Sequence, residues 1–341
     1  MPHMTTSVTS KPSSRRYITQ LEPSEYIQGL FCISNTQLGR TKNDKPFLKV
    51  LVKDKTGEMA GRMWSIDRET YESLPTEGFA FLEGETQAYQ GEMQIILRSI
   101  APAEATIDQM RELLPVSQHD PEVMYAAVVG MLNTLEHPGM KALAKVYLED
   151  APLMAMFKQA PAAKSMHHAY IGGLLEHTLN LLRLADAVCP LYPKINRDIV
   201  MMGLFLHDLG KTRELVWDRA FSYSDRGELI GHLVEGAIML HDRAQHVMRT
   251  AGIRLPKYAV TVLQHIIISH HDKPEFGAAK CPSTPEAILV AMLDNLDAKT
   301  FIALAATRPD REAAVGNLGG NFTEKQWALD TKLFKPDPLK E

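Results

Sequence analysis

From residue 25 to about residue 102, apolar and polar side chains alternate along the chain, the period of strands with one buried face. The alternation predicts five strands, near residues 26–34, 47–54, 58–64, 79–85 and 93–100. Turn-forming residues separate them: Lys42-Asn43-Asp44-Lys45-Pro46, Asp54-Lys55-Thr56-Gly57 and Tyr89-Gln90-Gly91-Glu92. Between the third and fourth strands, residues 65–73 predict one short helix capped by Ser65 or Asp67. Five short strands with a helix after the third is the order of an OB-fold β-barrel.

From residue 105 onward the period becomes helical, with apolar residues three and four apart around Met131, Leu143, Leu174, Leu181, Met201, Val234, Val262 and Met292. Pro102, Pro115 and Pro121 punctuate the crossover. The pattern predicts a multidomain chain: an N-terminal arm over 1–20, the barrel over 21–104, a helical linker over 105–160, an all-α domain over 161–315 and a C-terminal tail over 316–341. There is no internal repeat.

Composition narrows the classes. At 341 residues, 45% hydrophobic and 23% charged, the chain is long enough for two cores. The opening stretch, Met1 to Arg16, is rich in Ser, Thr and Pro without apolar periodicity and reads as a flexible arm. It lacks the apolar segment of a signal peptide, and no later run approaches the roughly 20 apolar residues a membrane helix needs, so a cytoplasmic location is expected. Cys32, Cys189 and Cys281 are far apart and lack C-x-x-C spacing, which suggests neither a disulfide framework nor a cysteine-based zinc site. The net charge of -4 argues against a uniformly basic coat. Residues 1–60 nonetheless carry nine Lys/Arg against five Asp/Glu, a modest local excess.

Histidine carries the chemical signal: ten of the thirteen fall between His167 and His271. Four pieces stand out, namely Glu176-His177-Thr178, Leu206-His207-Asp208-Leu209-Gly210-Lys211, Gly231-His232, and Ser269-His270-His271 followed by Leu293-Asp294-Asn295. Each sits on or at the end of a predicted helix. Adjacent helical residues point about 100° apart, so His207 and Asp208 share an ion only near a helix end, where Gly210 is the expected C-cap. Imidazole and carboxylate ligands suit Mn, Fe, Zn or a similar divalent ion, and the two oxygens of one Asp can bridge a pair. Two such ions fit hydrolysis of a phosphate ester, with Lys211 placed to neutralise charge on the scissile phosphate.

The series H…HD…H…H…D, with Lys three residues after the HD Asp, resembles the HD-domain phosphohydrolases. More closely, the run Ala163-Lys164-Ser165-Met166-His167-His168-Ala169-Tyr170-Ile171-Gly172-Gly173-Leu174-Leu175-Glu176-His177, joined to an upstream OB domain, resembles the YhaM-type 3′-5′ exoribonucleases. Further matching stretches are 43–48, 269–277 and 294–299, and the likeness covers roughly residues 20 to 315. The resemblance implies that 161–315 is an HD domain, that His177, His207, Asp208 and Asp294 are metal ligands, and that His232 and His270 complete a second metal site, with His271 as the rival of His270. It implies two divalent ions, Mn first, with Fe, Co, Ni or Mg as alternatives. It also implies degradation of single strands from the 3′ end. Asp272 departs from the pattern, since the similar enzymes often carry Gly there.

Each feature has a plainer reading. An isolated helical His is usually structural or on the surface. His241 lies about 180° around an ideal helix from His232, and His246 lies about 21 Å further along the axis, so both read as surface or packing residues. His265 reads as packing. Lys164, His167 and His168 lie just before the first ligand helix, where they can reach a substrate phosphate or form a solvated helix entry with His168 packed on Tyr170. Most of Phe31, Phe47, Trp64 and Phe81 are expected to be barrel core. Phe47 and Trp64, flanked by Lys45, Lys49 and Arg62, are the expected base-stacking platform.

The expected activity is metal-dependent 3′-5′ hydrolysis of single-stranded RNA, and of DNA as a second substrate, to nucleoside 5′-monophosphates, with Lys211, Asp208 and His168 in catalytic roles. Two alternatives stand beside it: a nucleotide or cyclic-nucleotide phosphohydrolase with a regulatory OB domain, and a non-enzymatic RNA-binding or assembly factor. Expected partners are single-stranded RNA or DNA and no membrane, with homo-oligomerisation left open.

Overall fold

A computed structural model describes residues 15–41, 43, 45–89, 92–164, 167–217, 221–308, 320–323 and 325–339. The expected arm up to residue 14, Lys42, Asp44, Gln90 and Gly91 of two predicted turns, Ser165 and Met166, and the expected domain boundary near residue 315 lie outside these residues. The chain divides at Glu104 and Ala105 into two compact units.

The first unit is a closed barrel. Its strands are β1 (Tyr26–Arg40), β2 (Pro46–Asp54), β3 (Gly57–Trp64), β4 (Gly78–Tyr89) and β5 (Glu92–Ala103), with α1 (Arg68–Ser73) between β3 and β4. They close in the order β1-β2-β3-β5-β4, with β3 and β5 parallel and the other pairs antiparallel, which is the OB-fold. Alternate side chains Leu48, Val50 and Val52 of β2 meet Ile33, Leu82 and Ile95 in the barrel interior. Strand β1 runs six residues past the predicted end at residue 34. The register shifts between Ser34 and Gln37, where Asn35 takes φ 54, and this bulge erases the alternation that would have announced the continuation. Asp67, not Ser65, caps α1: its carboxylate accepts the Thr70 N–H, while Ser65 sits in a left-handed turn at φ 67.

The second unit is helical. It comprises α2 (Ile107–Leu113), α3 (Pro121–Leu132), α4 (Pro138–Leu148), α5 (Ala151–Phe157), α6 (Gly173–Val188), α7 (Arg197–Leu206), α8 (Lys211–Glu214), α9 (Asp225–Ala251), α10 (Lys257–Ser269) and α11 (Pro285–Thr307). A two-stranded ribbon, β6 (Leu215–Val216) with β7 (Ser222–Tyr223), joins α8 to α9. One core runs through the unit. Met124 and Val128 of α3, Leu143 and Tyr147 of α4 and Phe157 of α5 are buried with Leu181, Phe205, Ile266 and Val290 of α6, α7, α10 and α11. Residues 121–157 therefore form one wall of the helical core, and each such buried side chain contributes about 1.5–3 kcal/mol. No helix among the described residues is long and apolar enough to cross a membrane.

Candidate metal centre

Five helices deliver polar side chains to one buried point of the second unit. The fully buried His177 comes from the first turns of α6, which starts at Gly172 in a left-handed conformation (φ 82). His207 and Asp208 follow the last residue of α7. Gly210 does not end that helix as a left-handed C-cap; at φ -59 it opens α8. A Cβ there would stand 2.2 Å from the His232 carbonyl oxygen, so glycine is required by close approach. His232 follows Gly231, whose φ of 74 and ψ of 160 break α9. His270 is the C-cap residue of α10, and α11 presents Asp294 and Asp297 three residues apart on one face.

Four imidazoles are oriented through Nδ1. His177 donates to Asp297 Oδ2 at 2.7 Å, His207 to the Leu204 carbonyl at 2.7 Å, His232 to Glu214 Oε1 at 2.9 Å and His270 to the Ile267 carbonyl at 2.9 Å. All four Nε2 atoms are thereby turned inward, where they are buried without a hydrogen bond, as are Asp208 Oδ1 and His271 Nδ1. They gather around Asp208. Its Oδ2 lies 3.4 Å from His207 Nε2 and 4.0 Å from His177 Nε2, and its Oδ1 lies 3.5 Å from His232 Nε2 and 3.4 Å from His270 Nε2. Asp294 Oδ1 is 3.2 Å from His177 Nε2. Donors held about 2.0–2.2 Å from a shared ion stand about 3–3.5 Å from each other, which is the spacing of these pairs except the longer one between His177 and Asp208. Buried polar atoms normally have partners, so this many bare, convergent donors fit a cation.

Charge points the same way. Burial alone would lower the His177 pKa, yet the neighbouring carboxylates of Asp294 and Asp297 push it up to about 9. The pocket therefore asks for positive charge at Nε2. Burial favours the neutral acid at Asp208 and at Asp294, but Lys211 and His207 hold the first well below the carboxylate range, and His177 holds the second there. Burial holds the His271 pKa down to about 3, leaving a neutral imidazole.

The donor atoms fall into overlapping groups within 4.8 Å: His177, His207 and Asp208; His207, His270 and Asp294; and Asp208, His232, His270 and His271. The geometry brings His271 in together with His270. Beside this last pair, Asp272 takes φ 68, a left-handed position where glycine is unstrained. His241 and His246 are exposed on α9, and His265 accepts the Ser283 N–H at 2.8 Å.

Two expected catalytic groups stand differently from the sequence reading. Lys211 is buried, and its Nζ donates to Asp208 Oδ2 at 2.7 Å, so it balances the shared carboxylate. His168 is buried at φ 49 with both nitrogens engaged: Nδ1 lies at hydrogen-bond distance, 2.7 Å, from Tyr170 Oη, and Nε2 donates to Asp297 Oδ2 at 2.9 Å. Its ring also lies 4.1 Å from that of Phe301. It is thus a correction to the expected substrate contact, because no nitrogen remains for a phosphate. His167 is half-buried, with its ring 5.4 Å from that of His177 and a nitrogen within 4.8 Å of donors on His177 and Asp294; Lys164 is exposed. Asp297 and Glu214 escaped the sequence reading. Their signal was spacing, three residues after Asp294 and Lys211 and so on the same helical side.

On the barrel, Phe47 pairs with Trp64 and Lys49 with Arg62 across β2 and β3. They alternate with the inward Leu48 and Val50, so all four share the outer face. Trp64 is 48% exposed, whereas Phe47 is 8% exposed. The Phe47 ring stands 5.1 Å from that of Trp64 and rests over Gly39, where a Cβ would come within 2.7 Å of it. This corrects the expected two-ring platform: Phe47 supports Trp64 from beneath. Arg62 lies 6.0 Å from the ring of the exposed Tyr89, which the sequence reading did not select.

An HD-domain family model matches residues 174–299, the span that holds every one of the converging donors named around Asp208. The 3′-5′ exoribonuclease YhaM of Geobacillus sp. (strain WCH70) is 32% identical over 321 residues, covering 93% of this chain and 94% of that protein. The YhaM of Bacillus licheniformis is 31% identical over 92% of this chain and 95% of its own length. That of Bacillus subtilis (strain 168) is 29% identical, again over 92% and 95%. Because the likeness runs through the barrel as well as the helical unit, the chain belongs to the family of the YhaM 3′-5′ exoribonucleases.

Proposed function

We propose that this protein is a metal-dependent 3′-5′ exoribonuclease that hydrolyses single-stranded RNA, and single-stranded DNA as a second substrate, to nucleoside 5′-monophosphates. The observation that carries the reading is the Asp208 carboxylate, with bare imidazole Nε2 atoms facing each of its two oxygens. His177, His207, Asp208 and Asp294 would hold one divalent cation, Mn first among the candidates, and Asp208, His232, His270 and His271 a second. Such a pair, when bound, supplies a lowered pKa for water and stabilisation of the charge that grows on a transferring phosphoryl group.

The chain's own groups do the rest. Asp297, Glu214 and the Leu204 and Ile267 carbonyls hold the four rings so that Nε2 faces the centre. Lys211 keeps Asp208 ionised and oriented. His167, which forms no hydrogen bond with the described residues, is the imidazole at the rim that donates to a phosphate oxygen of the substrate. Hydrolysis forms a bond from water oxygen to phosphorus and breaks the bond from phosphorus to the 3′-oxygen, which takes up the proton. The products are a nucleoside 5′-monophosphate and a strand one residue shorter with a 3′-hydroxyl. The outer face of β2 and β3 supplies strand affinity: Trp64 stacks on a base, and Lys49 and Arg62 meet phosphates.

The test is digestion of 5′-labelled RNA and DNA oligonucleotides, with free and blocked 3′ ends, by chelator-stripped protein resupplied with single divalent metals. The expected result is a ladder shortening from the free 3′ end only, strongest with Mn, with mononucleotides as product. Equal loss of the 3′-blocked strand overturns the polarity. Hydrolysis confined to free or cyclic nucleotides replaces the reading with a nucleotide phosphohydrolase.

A further inference from the structure

Outside the donor cluster, one fully buried charge is left unused by the reading above. Glu235, 1% exposed, lies three residues after His232 on α9. Its Oε1 accepts from Arg213 Nη1 at 2.7 Å and its Oε2 from Arg226 Nε at 2.5 Å. The two arginine side chains are 43% and 49% exposed, so each guanidinium reaches inward from the surface to the same carboxylate.

The chain positions of the three residues give the arrangement its meaning. Arg226 precedes the break at Gly231, Glu235 follows it, and Arg213 belongs to α8. One carboxylate therefore ties together the helix before the break, the helix after it and the neighbouring turn. A regular helix would continue through residue 231 by default, since each further residue adds a backbone hydrogen bond. A persistent break needs an identifiable cause, and Gly231 permits this one without enforcing it. Enforcement comes from the contacts on each side. Gly227 packs so closely on α8 that a Cβ would lie 2.3 Å from the Glu214 carbonyl oxygen. Ser224 Oγ donates to the Arg213 carbonyl at 2.8 Å. Glu214 Oε1 accepts both the backbone N–H of His232 at 3.0 Å and its Nδ1–H at 2.9 Å.

We infer that the Arg213–Glu235–Arg226 clip sets the break at Gly231 and so aims His232 Nε2 at Asp208, making these three positioning residues for the second cation. The inference rests on the two-cation reading proposed above. Glu214 orients the ring of His232, and the clip orients the backbone that carries it. His177, His207 and Asp294 lie on α6, beyond the end of α7 and on α11, none of which supplies a member of the clip. Loss of the clip therefore weakens one cation site and spares the other.

Titration of chelator-stripped full-length protein with Mn²⁺ by calorimetry tests this, with thermal unfolding of each variant in parallel. Wild type takes up two ions. Arg226→Gln keeps the first at wild-type affinity and binds the second about 10- to 100-fold more weakly, the range for loss of a partner that orients a ligand. Arg226→Lys restores most of that loss, because the cation is what the carboxylate needs. Glu235→Gln repeats the Arg226→Gln result; if it does not fold, the half-exposed Arg226 still decides the matter. Two ions bound by Arg226→Gln with unchanged affinities overturn the clip and leave the two-cation reading standing. Equal weakening of both sites together with a lowered melting temperature also overturns it, by showing a general structural role. Fewer than two ions bound by wild type instead overturns the two-cation reading itself.

Discussion

The donor cluster of the helical unit and the outer face of the barrel are built by opposite rules. In the cluster, four imidazoles each spend one nitrogen on an internal acceptor so that the other is presented bare, in a volume from which solvent is nearly excluded. On the barrel, Trp64, Lys49 and Tyr89 are exposed, and the ring of Phe47 lies against both Trp64 and Lys49. A site for compact cations demands fixed donors, because an error of a few tenths of an ångström costs affinity. A surface for successive bases does not, because every base offers a flat face and the strand adapts to what it meets. Substitutions should therefore act steeply and selectively in the first region and shallowly in the second.

The steepest effect is expected at Asp208, the residue shared by both sets of donors. Asp208→Asn removes the charge that faces four imidazoles and Lys211 while keeping the side-chain shape. Hydrolysis of RNA should fall by on the order of 10³-fold or more, exceeding the loss of a single preorganised electrostatic contact. Metal analysis of the purified variant should show depletion of both ions; full metal content with wild-type turnover would break the contrast at its root. Asp297→Ala is the next step down. Asp297 holds Nδ1 of His177 and Nε2 of His168, so its loss frees the ring of His177 to turn. Affinity for the cation on the His177 side should drop about 10- to 100-fold, with the opposite side unchanged, as read by calorimetric titration with Mn²⁺.

The two regions also differ in how much of them sequence reveals. Strand order, the α1 insertion and the HD match follow from alternation, turn residues and one ordered series of His and Asp. What sequence does not display is the partner of each residue. Asp297 and Glu214 look like ordinary helical carboxylates until the fold places a ring nitrogen against each. Phe47 sits at an outward register position, and nothing local announces that Gly39 of β1 leaves room for its ring to lie flat and be covered. One proline misled in the stretch from 105 to 160. Pro121 reads as punctuation of the crossover, but it occupies the first turn of a helix behind the capping residue Asp120, and that helix carries core. Gly210 failed for a related reason, since a glycine needed for close approach and one needed for a left-handed cap are identical in sequence.

At the barrel the expected effects shrink and change character. Trp64→Ala removes the exposed ring, and stacking of that kind is worth about 1–3 kcal/mol per base, so KM for a long oligonucleotide should rise by about tenfold. The value of kcat and the hydrolysis of a dinucleotide, too short to engage a second region, should not change. A matching loss of kcat would mean that Trp64 acts on the helical unit and not on the strand. The smallest effect belongs to the cations beside it. Lys49 and Arg62 face each other across β2 and β3 on the same side as Trp64. If each meets one phosphate, replacing either by Ala should lower the slope of log affinity against log salt by about 0.7 for a single strand, with little change at high salt. Binding measured across a salt series with Mn omitted reads that slope without interference from turnover. An unaltered slope in both variants would move the strand to another face of the barrel while leaving the donor cluster untouched, because residues that bind through long-range charge and residues that bind through fixed geometry fail independently.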